Sequence, residues 1–182
     1  SPVSPITPIA PFANNNDYTI AGIMKDGTTP TPQNINWITG YDGAPTSPIS
    51  LARYWLYKFN SNTDAYANWL PFSENDPLKV GLGYTLKGAG AIGPSTLNYT
   101  FVGKPNCGTI TSPIAADHAN LSGNPYASAI DADTFITDNL GATTGAIYFW
   151  EHYTTNPSHI LLEYQGGYAA RTLVGGTPPV AP

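Results

Sequence analysis

The chain has 182 residues, which is ample for one domain with its own hydrophobic core. Charged residues make up only 10% of it, against about 25% in an average soluble protein, whereas glycine and proline each number 18 and tyrosine 12. The net charge of −5 gives no basic footprint for nucleic acid or an anionic membrane, and no run of about 18 apolar residues exists to span a bilayer. This mixture of turn formers and β formers predicts an all-β protein with many short strands.

The first half of the chain alternates turn chemistry with short apolar runs. Residues 1–17 carry four prolines and an Asn-rich run, which predict an extended edge segment or loop. Strands are predicted at Tyr18–Met24 and near Ile35–Thr39. A third strand is predicted at Arg53–Asn60, where aromatic residues alternate. We expect a hairpin turn after it and a partner strand at Ala65–Phe72.

The second half continues the strand pattern with one interruption. Strands are predicted at Val80–Lys87, Ser95–Gly103 and Thr109–Ile114, and a final hairpin at Ala146–Tyr153 and Ile160–Tyr164. Some eight to ten strands at this spacing favour a β-sandwich or jelly-roll-like fold. The interruption is a single short helix, which the sequence predicts near residues 131–139.

The helix and the turn before it form the most distinctive stretch of the sequence. Pro125 fixes its own φ and pushes Asn124 out of the helical region, which indicates a tight turn. Asp131 stands where an N-cap belongs, and Asp133 lies in the first helical turn, where a carboxylate suits the positive end of the helix dipole. The residues of this structural motif are Asn124, Pro125, Tyr126, Asp131 and Asp133.

The same stretch carries a resemblance to a known family. GNPYASAIDADTFI, residues 123–136, resembles the GNPYPSAIDADxFI signature of a β-rich module found in large secreted and cell-surface proteins of Bacteroidetes. GLGYTL at 81–86 is similar to the GKGYxL strand of that family, and GAIYFWEH…YQGGY at 145–168 is similar to its final hairpin. Ala127 stands where the family pattern has Pro.

The resemblance implies a non-catalytic structural or adhesive module that is secreted or displayed at the cell surface, with the type IX system as the export route. Its expected partners are other surface or secretion proteins, or neighbouring modules of the same chain. Family members have further strands beyond the last match, so residues 1–182 are expected to be one β-sandwich module cut from a longer polypeptide. In this interpretation residues 1–17 are its extended entry segment and 175–182 its tail.

Catalytic motifs are either missing or lack their structural context. Residues 88–93 spell G-x-G-x-x-G, but Pro94 and a predicted strand follow where a dinucleotide site needs a helix. Cys107 has no neighbouring base and cannot form an internal disulfide, and no Ser lies in G-x-S-x-G. The three histidines, His118, His152 and His159, lack the spacing of a helical zinc pair. These patterns predict that the protein is not an enzyme, although a paired-carboxylate glycosidase site depends on distances that no sequence gives.

Two kinds of ligand site stay open. Asp131, Asp133 and Asp138 are candidate ligands for Ca²⁺, although helix capping explains the first two without an ion; no other cofactor is expected. The exposed aromatic candidates for stacking on glycans are Tyr41, Tyr66 and Trp69, which lie in or beside predicted loops.

The strand aromatics decide between the alternative functions. Clean alternation predicts that Trp55, Phe59, Phe101 and Phe149 fill the core. A carbohydrate-binding module of a secreted hydrolase would instead expose a coplanar row of Trp and Tyr. The other alternative is a secreted cargo or filament subunit that a partner holds by strand addition at an open sheet edge.

Overall fold

The computed structural model describes residues 1–6, 17–61, 69–89, 96–152 and 166–180. They fall into two compact units, residues 1–128 and 129–182. Short strands in small, mainly antiparallel sheets dominate both units, which confirms the all-β class, and the predicted short helix is present at Ala132–Asp138. The interpretation of residues 1–182 as one module stays a prediction. None of the helices in the described part of the chain has the length and apolar character needed to cross a bilayer.

Unit 1 contains ten described strands in four small sheets. The strands are β1 (Val3–Ser4), β2 (Met24–Asp26), β3 (Gln33–Asn34), β4 (Asn36–Ile38), β5 (Ser50–Ala52), β6 (Tyr57–Phe59), β7 (Trp69–Pro71), β8 (Tyr84–Thr85), β9 (Tyr99–Phe101) and β10 (Lys104–Pro105). The antiparallel sheets have the orders β3-β2-β9, β7-β6-β8 and β1-β10, while β4 and β5 pair in parallel. The antiparallel pairing of β6 with β7 confirms the predicted pairing of Arg53–Asn60 with Ala65–Phe72, although residues 62–68 lie outside the described chain.

Two predicted strands of unit 1 begin as helical turns. Tyr18–Met24 was expected to be extended, but residues 20–23 form the turn α1 (Ile20–Ile23) because the Thr19 hydroxyl caps it by accepting the Gly22 N–H at 3.1 Å. Likewise Arg53–Trp55 is a 3₁₀ turn before β6, closed by the Leu56 N–H on the Arg53 carbonyl at 3.1 Å.

A third predicted strand, Thr109–Ile114, is absent and the prediction is wrong. A strand needs a neighbour for its backbone groups, and the local sequence does not say which segment supplies it. Here Gly83 donates to the Leu121 carbonyl and Gly123 to the Gly81 carbonyl, both at 2.9 Å. Residues 121–123 therefore pair with Gly81–Gly83, just before β8, through an isolated antiparallel bridge between Leu82 and Ser122.

The core of unit 1 is aliphatic, with Tyr18 as its fully buried aromatic ring. The residues buried together are Val3, Tyr18, Ile20, Ile23, Met24, Ile35, Ile49, Leu51, Leu56, Phe72, Leu78 and Val80. Trp55 and Phe59 are only half-buried, and Phe101 is 37% exposed. The prediction that Phe101 fills the core is therefore wrong: in this short strand the alternation selects a face but does not guarantee that another layer covers it.

The described part of unit 2 is a helix with a three-stranded antiparallel sheet. Its elements are α2 (Ala132–Asp138), β11 (Ala146–His152), β12 (Gly166–Thr172) and β13 (Gly175–Thr177), in the sheet order β11-β12-β13. The hairpin predicted from Ala146 is present, but its partner strand is β12, and the predicted partner Ile160–Tyr164 lies outside the described residues. Phe149 is 54% exposed, so its assignment to the core is also wrong.

Candidate functional site

The most prominent exposed feature is one face of the β11–β12 hairpin, called here the aromatic face and made by Tyr148, Trp150 and Tyr168. Tyr148 and Trp150 are two residues apart on β11 and so point to the same side, and Tyr168 stands directly opposite Trp150 on β12. Their side chains are 64%, 53% and 58% exposed. A monomeric soluble protein seldom leaves a contiguous apolar surface uncovered without a binding role.

Trp150 is held in a defined position although half of it faces solvent. The edge of Tyr168 meets its ring at a centroid distance of 5.0 Å and an interplanar angle of 67°. The indole also lies close over Gly166, where an added Cβ would stand only 2.4 Å from Trp150 Cζ2. The glycine therefore makes room for the ring, and the aromatic face is preformed.

Replacing Gly166 with Ala is expected to disturb this face. The new Cβ would lie 2.4 Å from the indole and 2.5 Å from the Glu151 carbonyl oxygen, so the hairpin has to shift, at a cost of about 1–3 kcal/mol. Near-UV circular dichroism and urea unfolding would detect the moved indole and the lower stability. The control is Gly141→Ala, because a Cβ at Gly141 meets no atom within 4 Å. Equal spectra and stability for both variants would contradict the close packing of Trp150 on Gly166.

The opposite side of the hairpin is joined to α2 by an ion pair. Arg171 lies opposite Ile147 on that side, and its Nε and Nη2 donate to the two carboxylate oxygens of Asp133 at 2.9 and 2.6 Å. The hydrogen bond with Asp133 raises the pKa of Arg171. This bidentate contact joins α2 to one face of the sheet, although Phe149 on that same face is still 54% exposed.

A second aromatic surface lies in unit 1 and is called here the tyrosine cluster, made by Tyr41, Tyr54 and Trp55. Tyr54 meets Tyr41 edge-on at 4.6 Å and Trp55 at 5.1 Å between ring centroids. The Trp55 indole N–H donates to the Tyr41 carbonyl at 2.6 Å. Lys87 Nζ lies 5.0 Å from the Trp55 ring centroid and 2.8 Å from Asp42 Oδ1, so a charged pair borders the aromatic rings.

The three predicted aromatic ligands have different positions. Tyr41 is exposed and belongs to the tyrosine cluster. Trp69 is half-buried because its ring packs edge-on against Phe59 at 5.2 Å. Tyr66 lies outside the described residues. The structure thus brings Tyr41 together with Tyr54 and Trp55, which were not singled out as ligands, and does not bring it together with Trp69.

Two of the three candidate calcium ligands, Asp131 and Asp133, bind other groups of the protein. Asp131 Oδ1 accepts the Thr134 N–H at 2.8 Å as the N-cap of α2, and this hydrogen bond lowers the pKa of Asp131. Asp133 pairs with Arg171, and Asp138 lies exposed in the last turn of α2. Across the described residues no three His, Cys, Asp or Glu side chains are grouped so as to hold a metal ion. A calcium site at these residues stays a prediction.

The turn before the helix is organised by asparagine side chains. Asn124 Oδ1 accepts the Tyr126 N–H at 2.9 Å, and its amide donates to the Ser128 carbonyl at 2.7 Å. Asn106 donates to the Pro125 carbonyl at 2.8 Å, and the Tyr126 hydroxyl donates to the Gly108 carbonyl at 2.7 Å. The motif thus has a structural role, because its polar groups bind backbone.

A cleft of about 290 Å³ in unit 1 offers no catalytic set. It is lined by Ser1, Pro2, Leu82, Gly83, Tyr84, Phe101, Leu121, Ser122, Gly123 and Asn124. Tyr84 is the titratable side chain in this lining, and burial raises its pKa. The described lining therefore provides neither a nucleophile with a base nor a pair of carboxylates.

Sequence reasoning missed Tyr148 and Tyr168 as surface residues. Tyr148, Phe149 and Trp150 are consecutive, so successive aromatics must point to opposite faces of β11. Three consecutive aromatic residues cannot all lie on one face of a strand, and this pattern in the sequence was a signal that at least one ring would be exposed.

The fold and the candidate sites define an all-β protein with exposed aromatic surfaces. Residues 14–174 match the profile of a family described as a domain of unknown function (DUF8693), and the chain belongs to that family. No curated protein and no solved structure matches the chain.

Proposed function

We propose that this chain is a non-catalytic structural or adhesive module of a large secreted or cell-surface bacterial protein. The observation that carries the proposal is the aromatic face, where three rings more than half exposed stand on a fully paired hairpin. Exposed aromatic residues on a rigid sheet are typical of protein-binding surfaces, because they bury a large apolar area at a low cost in side-chain entropy.

The chemistry of the charged residues supports a binding role over a catalytic one. Among the described residues, several carboxylates accept backbone N–H groups in turns or pair with basic side chains, as Asp26, Glu74 and Asp133 do. A catalytic carboxylate has to be free to contact a substrate, whereas these carboxylates already accept hydrogen bonds from backbone N–H groups and guanidinium groups. The likeness of residues 123–136 to a module of secreted Bacteroidetes proteins supports the location and, with it, type IX export.

A carbohydrate-binding module is the second candidate, and the tyrosine cluster favours it. Aromatic rings that stack on sugars need neighbouring polar groups to bind the hydroxyls, and the Asp42–Lys87 pair stands beside Tyr41 and Trp55. The rings of the aromatic face support this alternative less, because Trp150 and Tyr168 are inclined at 67° and offer no flat platform.

Bead adhesion under flow tests the proposal. Beads coated with the chain are expected to be retained on bacterial cells, and the triple variant Tyr148→Ser, Trp150→Ser, Tyr168→Ser is expected to reduce retention at least about tenfold, since central aromatics carry most of a binding energy. The control is Tyr54→Ser, which removes an exposed ring from the other unit. Equal retention of all three proteins would contradict the proposal.

A glycan array run with the same proteins separates the two candidates. Saturable glycan binding that Tyr41→Ala abolishes and the triple variant keeps would establish the carbohydrate-binding alternative. Cell adhesion that depends on the aromatic face, without glycan binding, supports the adhesive module.

A further inference from the structure

The other notable feature of unit 2 is the outer edge of β11. All seven residues of β11 pair with β12, and in the described part of the chain β11 has no second neighbour in the sheet order β11-β12-β13. The outer edge of β11 therefore presents backbone N–H and C=O groups that another strand can pair with.

Apart from the carboxylate of Glu151, this edge lacks the usual protection against pairing. Natural edge strands are kept apart by lysines, prolines, bulges or short length, whereas residues 146–152 read A-I-Y-F-W-E-H and contain no Lys, Pro or Gly. The strand is longer than a typical edge strand and continuously paired, and its three central residues, Tyr148, Phe149 and Trp150, are each more than half exposed. Aromatic residues at these positions also favour cross-strand contacts.

We propose that β11 pairs antiparallel with β11 of a second copy of this chain, about a two-fold axis at Phe149. In an antiparallel pair, facing residues lie on the same side of the sheet, so the axis has to pass through a residue and not between two residues. Phe149 is the middle residue of β11, and an axis there pairs all seven positions. The result is a six-stranded sheet in the order β13-β12-β11-β11-β12-β13.

The sequence of β11 is complementary to itself in this register. Tyr148 faces Trp150 of the second copy, so the aromatic faces of the two copies join into continuous rows of rings. Ile147 faces Glu151 of the second copy, so the two Glu151 carboxylates are not opposed. A second copy is therefore a fitting occupant, because the one carboxylate of the strand meets an aliphatic residue and the rings meet rings.

Cysteine cross-linking tests the register, in a Cys107→Ser background because Cys107 is exposed. Phe149→Cys is expected to form a disulfide-linked dimer on mild oxidation, since facing Cβ atoms are about 4.5–5.5 Å apart and a small shift brings them to bonding distance. Glu151→Cys is the matched control on the same side of β11. Its two copies would stand four positions apart, about 13 Å, and are expected to stay unlinked.

Sedimentation of the unmodified chain tests the association itself. The mass is expected to rise with concentration from 19.3 kDa to twice that value. Two variants, Tyr148→Lys with Trp150→Lys and Tyr148→Glu with Trp150→Glu, are each expected to remain monomeric because like charges face each other, and their mixture is expected to restore the dimer. Far-UV circular dichroism establishes that both variants are folded.

Three results would overturn the inference. They are a wild-type chain that stays monomeric at all concentrations, equal cross-linking of the two cysteine variants, and a pairing of β11 with another protein in place of itself. The inference does not depend on the proposed adhesive role, because it concerns the edge of β11 while adhesion concerns its face. A monomer that still adheres to cells would refute the dimer alone, and a dimer without adhesion would refute the adhesive role alone.

Discussion

Asp26→Ala is expected to destabilise unit 1 by about 3 kcal/mol or more, the largest effect of any single polar substitution considered for this protein. The Asp26 side chain is fully buried, and its two oxygens accept the backbone N–H groups of Thr28 at 2.8 Å and Ile49 at 2.9 Å. Alanine removes both acceptors and leaves the buried Ile49 N–H without its partner. Urea unfolding followed by tryptophan fluorescence measures the loss.

The pH dependence of stability gives a second measure of the same group. Burial alone would raise the pKa of Asp26, but the hydrogen bonds from Thr28 and Ile49 outweigh it and lower the pKa. A carboxylate whose pKa is lower in the folded than in the unfolded state stabilises the folded protein at any pH above its unfolded pKa of about 3.9. This stabilisation is lost as the pH falls through the folded pKa. The stability difference between wild type and Asp26→Asn is therefore expected to shrink as the pH falls below about 4.

Asp138→Asn is the control for both measurements. Asp138 is exposed on α2, and its substitution is expected to change stability by no more than about 0.5 kcal/mol. Two results would contradict the assigned role of the buried carboxylate. One is equal stability of the wild type and Asp26→Ala at neutral pH, and the other is a stability difference between the wild type and Asp26→Asn that does not change with pH.

Among the polar substitutions, Glu74→Ala is expected to have the second largest effect, about 2 kcal/mol. Glu74 is buried, and its carboxylate accepts from Arg53 Nε at 3.2 Å and Nη2 at 2.9 Å, while Nη2 also donates to the Trp37 carbonyl at 2.9 Å. This network holds the 3₁₀ turn at Arg53–Trp55 and therefore the start of β6. The expected value lies between those of surface and buried pairs because the Arg53 side chain is 39% exposed.

A double-mutant cycle with Arg53→Ala measures the coupling energy of this pair directly. Burial alone would raise the pKa of Glu74, but the hydrogen bonds that its carboxylate accepts, together with the positive charge of Arg53, outweigh burial and lower the pKa. The stabilisation by Glu74 is therefore present at neutral pH and fades in acid. The comparison pair is Lys87–Asp42, which is more exposed and for which Asp42→Ala is expected to cost less than about 1 kcal/mol. Additive effects of the Arg53 and Glu74 substitutions would show that the pair is uncoupled.

Local sequence signals determined those parts of the fold that depend on neighbours in the chain. The cap at Asp131, the turn at Asn124-Pro125, the helix at residues 132–138 and the strand that begins at Ala146 all follow from side-chain chemistry within a few residues. Composition, with few charges and many Gly, Pro and Tyr, was enough for the all-β class. These features need no knowledge of the rest of the molecule.

Tertiary structure alone decided which faces are covered and which charges are paired. Alternation in β9 and β11 predicted a buried face for Phe101 and Phe149, but burial requires a second layer, and the strands do not encode where that layer is. Arg53 and Glu74 are 21 residues apart in the sequence, and Arg171 and Asp133 are 38 residues apart. No local sequence pattern therefore predicts either ion pair. The aromatic face has the same origin: the sequence determined that β11 is aromatic, and only the tertiary structure showed that its rings stay exposed and that Tyr168 of β12 joins them.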